Sequence, residues 1–140
     1  MVAANAAHTY ARIGLETGVA AASPQRLIVM LYDGAIAAIA EARAQMPDGS
    51  KPAKGRALGK AIAIVDEGLK AALDTRQGGA IARQLMDLYD YVGRCLLLAN
   101  LRDDVALADE ASRLLTELRG AWASLAEPQS SASPVPSSAY

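Results

Sequence analysis

The chain has 140 residues, a formal net charge of -1, and 52% residues of the hydrophobic class; with its 11 glycines the apolar share is about 60%, above the ~45–50% usual for that wider class. The excess is small side chains rather than rings: 31 alanines, one Trp, five Tyr and no Phe. Such a chain is too apolar to be wholly disordered. It is long enough to bury one core, and too near neutrality to carry an electrostatic case for nucleic acid or an anionic membrane.

Residues 1–22 are small and polar, with glycines at Gly14 and Gly18, and read as an N-terminal arm or short cap helix. Ser23-Pro24 opens the first strong helix, since Ser is a good N-cap and Pro suits the first helical position. Its stripe is Leu27, Leu31, Ala35, Ala38, Ala42 and Met46, at 3-4 spacing, and Pro47-Asp48-Gly49-Ser50 ends it. Pro52 lies near the start of a second helix, whose stripe is Leu58, Ile62, Val65, Leu69 and Ala72 and which Gly78-Gly79 stops. A third helix runs from about Ala80 to Leu101 on Ile81, Leu85, Leu88, Val92, Cys95 and Ala99. Asp103 or Asp104 caps a fourth, striped by Leu107, Ala111, Leu114, Leu118, Ala121 and Leu125 and ended by Pro128. Residues 128–140 are Ser/Pro-rich and read as a disordered tail.

Short connections make consecutive helices antiparallel, and no stretch alternates with period two for long enough to make a strand. The expected fold is all-α: an up-down-up-down four-helix bundle over residues 23–127, with the arm before it and the tail after it. Cys95 is alone, so no internal disulfide can form. The N-terminus shows neither the basic start nor the apolar core of a signal peptide. The longest strongly apolar run, Cys95 to Leu101, falls far short of the ~20 residues a membrane span needs. A soluble cytoplasmic protein is expected, with no stable membrane insertion.

Several features exceed what a bundle core requires. Beside its main stripe the second helix carries another, made of Ala57, Ala61, Ile64, Gly68 and Ala71. This is either close packing against a neighbour or a shallow groove for a partner helix. The third helix is apolar all round at Cys95-Leu96-Leu97-Leu98, which implies burial on more than one side. Gly34, Gly59, Gly68, Gly93 and Gly120 fall inside helices at a cost of about 1 kcal/mol each relative to Ala, for close helix approach or for a bound chain. Leu31-Tyr32-Asp33 and Leu88-Tyr89-Asp90 each set a Tyr beside a core-phase Leu. Such a ring can keep its hydroxyl hydrated as a half-buried bundle residue or serve as an anchor on a binding surface. Trp122 sits on a flank of the fourth helix. Tyr10 is the one large aromatic of the arm, either exposed or docked on an apolar groove.

Catalytic chemistry is poorly provided for. The one histidine, His8, is in the arm, so a His-rich metal site or a Ser-His-Asp triad is not expected. A Glu-x-x-His pair and a phosphate loop are both missing. Asp66-Glu67 and Asp109-Glu110 fall on solvent phases, and Cys95 reads as a buried thiol. No enzyme, catalytic residue, metal or cofactor is expected. A self-associating structural bundle remains the alternative to a binding protein.

Ser23-Pro24 with Leu27 and Met30-Leu31-Tyr32-Asp33-Gly34-Ala35 resembles the opening of the FliS family of flagellar export chaperones. The similarity continues through Lys60-Ala61-x-x-Ile64-Val65-Asp66, Gly68-Leu69-Lys70, Gly78-Gly79-x-Ile81-Ala82, Leu88-Tyr89-Asp90-Tyr91, Leu96-Leu97-x-Ala99-Asn100 and Ala121-Trp122. It covers about residues 8–125 and is nearest in character to the enterobacterial type. The resemblance implies a cytoplasmic chaperone for the disordered C-terminal segment of flagellin. Such a chaperone prevents premature polymerisation and presents its substrate to an export-gate protein of the flagellar type III apparatus, with a regulator or co-chaperone as a further partner. Beside it, the residue patterns nominate Leu31, Tyr32, Ala61, Ile64, Gly68, Ala71, Tyr89, Leu96 and Leu97 as flagellin contacts. Tyr10 matches the family's N-terminal tyrosine, implicated in gate docking, in a segment that can cap the apolar surface. Ala7 departs from the bulky aliphatic residue often found three places earlier, which weakens or shifts the arm's contact.

Overall fold

The computed structural model describes residues 23–126. The expected arm with Tyr10, and the expected tail, lie outside the described residues. Within them the chain forms four helices: α1 Pro24–Ala44, α2 Lys51–Ala63, α3 Thr75–Arg102 and α4 Val105–Ala126. α2 continues without a break into a π-helical turn, Ile64–Leu69, where the Lys70 N–H donates to the Val65 carbonyl five residues back.

Local chemistry accounts for the helix starts. The Ser23 side chain accepts from the Arg26 N–H, with Pro24 at the first helical position. Ser50 accepts from the Ala53 N–H in the same way, with Pro52 just inside. Asp104 accepts from the N–H groups of Ala106 and Leu107. Each cap satisfies amides that the first helical turn leaves without a partner.

The end of α3 is a left-handed stop. Asp103 has φ 53, and the Asp104 N–H reaches back to the Ala99 carbonyl at 3.0 Å, the six-to-one bond of a Schellman ending. A non-glycine residue is costly in that conformation, and here two lysines hold it. Lys51 Nζ donates to one Asp103 oxygen at 2.7 Å and Lys54 Nζ to the other at 3.0 Å. Lys54 also donates to the Asn100 carbonyl at 3.0 Å. It is buried among the described residues, its stem in apolar packing and its ammonium on the helix end.

Ion pairs fix the antiparallel order. Arg43–Asp109 and Arg119–Asp33 join α1 to α4. Lys54–Asp103 and Lys70–Asp90 join α2 and its π turn to α3. The start of α1 and the end of α4 therefore share one pole of the bundle. The turn over residues 45–50 and the Asp103 cluster share the other.

The core follows the expected α1 stripe without exception: Leu27, Leu31, Ala35, Ala38, Ala42 and Met46 are all buried. Three expectations require correction. The second helix ends at the π turn rather than at Gly78-Gly79; Gly79, at φ 57 and ψ −132, lies inside α3 as its kink, a conformation open to glycine and rare for other residues. In the first half of α3 Ala82 and Tyr89 are buried, each one residue on from the expected Ile81 and Leu88, which face outward, while Val92, Cys95 and Ala99 are buried as the stripe expects. In α4 the buried positions are Ala108, Ala111 and Leu115, with Leu118 and Trp122 partly buried, while Ala121 and Leu125 are exposed. Among the described residues no helix is long and apolar enough to cross a membrane.

Candidate functional site

At the pole where α1 begins and α4 ends, an open apolar groove of about 350 Å³ lies between the helix ends. Ile28 of α1 and Trp122 of α4 form one side. Leu69, Ala72 and Leu73, at and just past the π turn, form another, and Ile81, Leu85 and Tyr89 of α3 close it. Ile81 is 69% exposed. A large aliphatic side chain left this open beside a groove marks an interaction surface more than a lone exposed Leu would.

Under the groove lies a buried polar knot. Tyr32 and Tyr89 are enclosed, their hydroxyls hydrogen-bonded to one another and their rings tilted at 57° with centroids 6.3 Å apart. Trp122 lines the groove beside Tyr89. Burial pushes the Tyr32 hydroxyl far above its ordinary range, reinforced by Tyr89, and burial raises Tyr89 as well. Both stay protonated, so the pair holds two O–H donors and two oxygens. One hydroxyl donates to the other. The remaining hydroxyl proton has no acceptor among the described residues.

The wall beside the π turn is pinned by charge. Lys70 Nζ stands 2.6 Å from Asp90 and 3.6 Å from Asp66, and the hydrogen bond to Asp90 holds the ammonium above its usual range. Farther along α3, Leu97 and Leu101 are 51% and 71% exposed and, four residues apart, share one face. On the neighbouring flank the Tyr91 hydroxyl donates to Glu110 at 3.3 Å. Interaction with Cys95, then with Glu110, raises that hydroxyl.

The nominated residues divide unequally. Leu31, Tyr32, Ala61, Ile64, Gly68, Tyr89 and Leu96 are buried; Ala71 and Leu97 are exposed. The hydrated hydroxyls expected of Tyr32 and Tyr89 are instead paired in the interior. The small-residue stripe of the second helix proves to be close packing: a Cβ on Gly68 would lie 2.8 Å from Leu31 Cδ2. Ala71 leaves that stripe because the π turn holds one residue more than an α-helical turn, which rotates all later positions by about 100° relative to a straight helix. At Gly59, Gly93 and Gly120 an added Cβ would meet nothing within 4 Å, so close approach is not their role.

Sequence reasoning missed the groove. Two of its lining residues, Ile81 and Leu85, belong to the core stripe expected of the third helix. The available signal is a second stripe, Ala82, Leu85, Tyr89, Val92, Leu96 and Ala99, equally regular, which shares Leu85, Val92 and Ala99 with the first and replaces the other three by their next neighbours.

The family model described as "Flagellar protein FliS" matches residues 6–129. The chain is 48% identical over 122 residues to the flagellar secretion chaperone FliS of Salmonella typhimurium, covering 87% of this chain and 90% of the relative. It is 40% identical to FliS of Escherichia coli K12 over the same shares. It is also 40% identical to the flagellar secretion chaperone FliSB of Pseudomonas aeruginosa, covering 87% of this chain and 96% of that one. These relatives are named for a chaperone's role, which is not an enzyme's. A four-helix bundle matched from residue 6 to residue 129, with relatives aligned over nearly their whole length, belongs to the FliS family of flagellar secretion chaperones.

Proposed function

We propose that the chain binds the disordered C-terminal segment of flagellin in the cytoplasm, keeps it from polymerising, and hands it to an export-gate protein of the flagellar secretion apparatus. Family membership supports the setting, and the open apolar groove at the α1–α4 pole is the observation that carries the binding role. Coupled folding of a disordered segment buries on the order of 1,000–3,000 Å². A groove of about 350 Å³ holds only a few side chains, so the substrate must also run along other apolar surface. Leu97 and Leu101 on α3 supply a second landing, with Ala71 a further direct contact. Leu31, Tyr32, Ala61, Ile64, Gly68, Tyr89 and Leu96 then act as the packed layer that shapes the track. Tyr10 in the N-terminal segment is assigned to gate docking and to capping of part of the apolar surface, and a regulator or co-chaperone competes for that surface.

Titration calorimetry with a flagellin C-terminal segment tests the reading. Ile81→Asp and Leu97→Asp, both at exposed positions, are expected to keep full helicity and to weaken binding at least about tenfold each, a loss of ~1.4 kcal/mol. Unchanged affinity in both variants overturns it. Tyr10→Ala is expected to spare that affinity and to reduce flagellin secretion in cells.

A further inference from the structure

We propose that the groove also seats the chain's own proline-rich segment, Ser133-Pro134-Val135-Pro136, as an extended polyproline strand laid against Tyr89 and Trp122.

The argument begins with hydrogen-bond supply. The Tyr32–Tyr89 pair spends only one of its two hydroxyl protons on itself, and Tyr89 and Trp122 both line the groove. A buried donor without an acceptor costs roughly 1–3 kcal/mol, so the fitting occupant brings acceptors and few donors of its own. A polyproline strand has that character. It makes no internal hydrogen bonds, so its carbonyls are all available, and Pro134 and Pro136 have no N–H to bury. Aromatic-lined apolar grooves that bind proline-rich segments form an established recognition mode. Here the aromatic residues, the apolar walls and the surplus donor occur together.

Tethering provides the second line. α4 ends at Ala126, four residues beyond Trp122. Residues 127–132 intervene before Ser133; six extended residues span up to about 20 Å, enough to double back to the groove. The final 13 residues carry no Asp, Glu, Lys or Arg, so seating the segment strips no charge of water. A short tether makes the local concentration on the order of millimolar, and even a weak contact is then well populated. If the flagellin reading holds, the segment competes with the substrate for this pole; the seating itself does not depend on that reading.

Trp122 is the chain's one tryptophan and reports directly from the groove wall. The test uses the full chain with Pro134→Ser, Val135→Ser and Pro136→Ser combined. The variant is expected to show red-shifted tryptophan emission and an acrylamide quenching constant raised about twofold, as a tethered occupant is lost. A synthetic peptide of residues 127–140, added in excess, is expected to reverse both. Emission and quenching identical to the unaltered chain overturn the proposal. So does a change seen with Tyr10→Ser and not with the triple variant, which would assign the groove to the N-terminal segment. A tail-dependent signal that disappears on dilution also overturns it, by placing the tail on a second copy. Flagellin affinity equal in the triple variant and the unaltered chain removes the competition and leaves the seating standing.

Discussion

The Tyr32–Tyr89 contact is where single atoms matter most. Tyr32→Phe leaves the Tyr89 hydroxyl buried without its tyrosine partner and is expected to destabilise the bundle by about 1–3 kcal/mol in denaturant unfolding. Replacing both by Phe removes both polar groups and is expected to cost less than the sum of the single changes, so a double-mutant cycle reads the coupling. The pair also sets an alkaline limit. Each hydroxyl titrates above its ordinary value of 10.0 in the folded chain, so its contribution is complete below pH 10 and is lost as pH rises beyond it. Circular dichroism should show helicity falling from about pH 10 upward, and the double Phe variant holding further. Asp103 has the opposite sign. Hydrogen bonds from Lys51 and then Lys54 hold its carboxyl below the ordinary 3.8, so its contribution is present above that pH and is lost as pH falls below it. Asp103→Asn is expected to lower the melting temperature at neutral pH and to flatten its decline in acid.

Between helices, the glycines divide by what stands above them. Gly68→Ala drives a methyl into Leu31 and is expected to cost about 1–3 kcal/mol. Gly59→Ala enters open space and is expected to gain about 0.5–1 kcal/mol from helix propensity; chemical denaturation of both variants separates the two cases. The helices themselves differ in how plainly the sequence shows them. α1 is legible from Ser23 to Met46 because one cap, one proline and one stripe agree. α3 and α4 are harder, since two apolar stripes share some positions and differ by one residue at the others, and local periodicity cannot rank them. Tyr89 wins over Leu88 because its hydroxyl finds Tyr32, 57 positions away, a contact no window contains. The π turn is invisible for a related reason: Ile64–Leu69 reads as helix in either form, and only the rotated burial beyond it betrays the extra residue. The groove depends on both features, so it cannot be read before them.

At the scale of the whole molecule, the apolar side chains of the described residues have three destinations. Alanine-rich stripes allow close packing, the α1–α4 pole holds the groove, and a few large aliphatics stay on the surface. Leu101 and Leu125, at 71% and 70% exposure, are expected to tolerate Lys with stability changes within about ±0.5 kcal/mol, measured by thermal melts. A larger loss would place them under cover in the intact chain. One consequence follows from the shared pole of Ser23 and Ala126. Tension applied through both ends would load α1 and α4 in an opening geometry, prising the antiparallel pair apart from the groove inward, row by row. Arg119–Asp33 would part before Arg43–Asp109. A bundle with its two ends at opposite poles would have to shear all its rows at once. This one yields stepwise to a pull, and the groove is the first part to come undone.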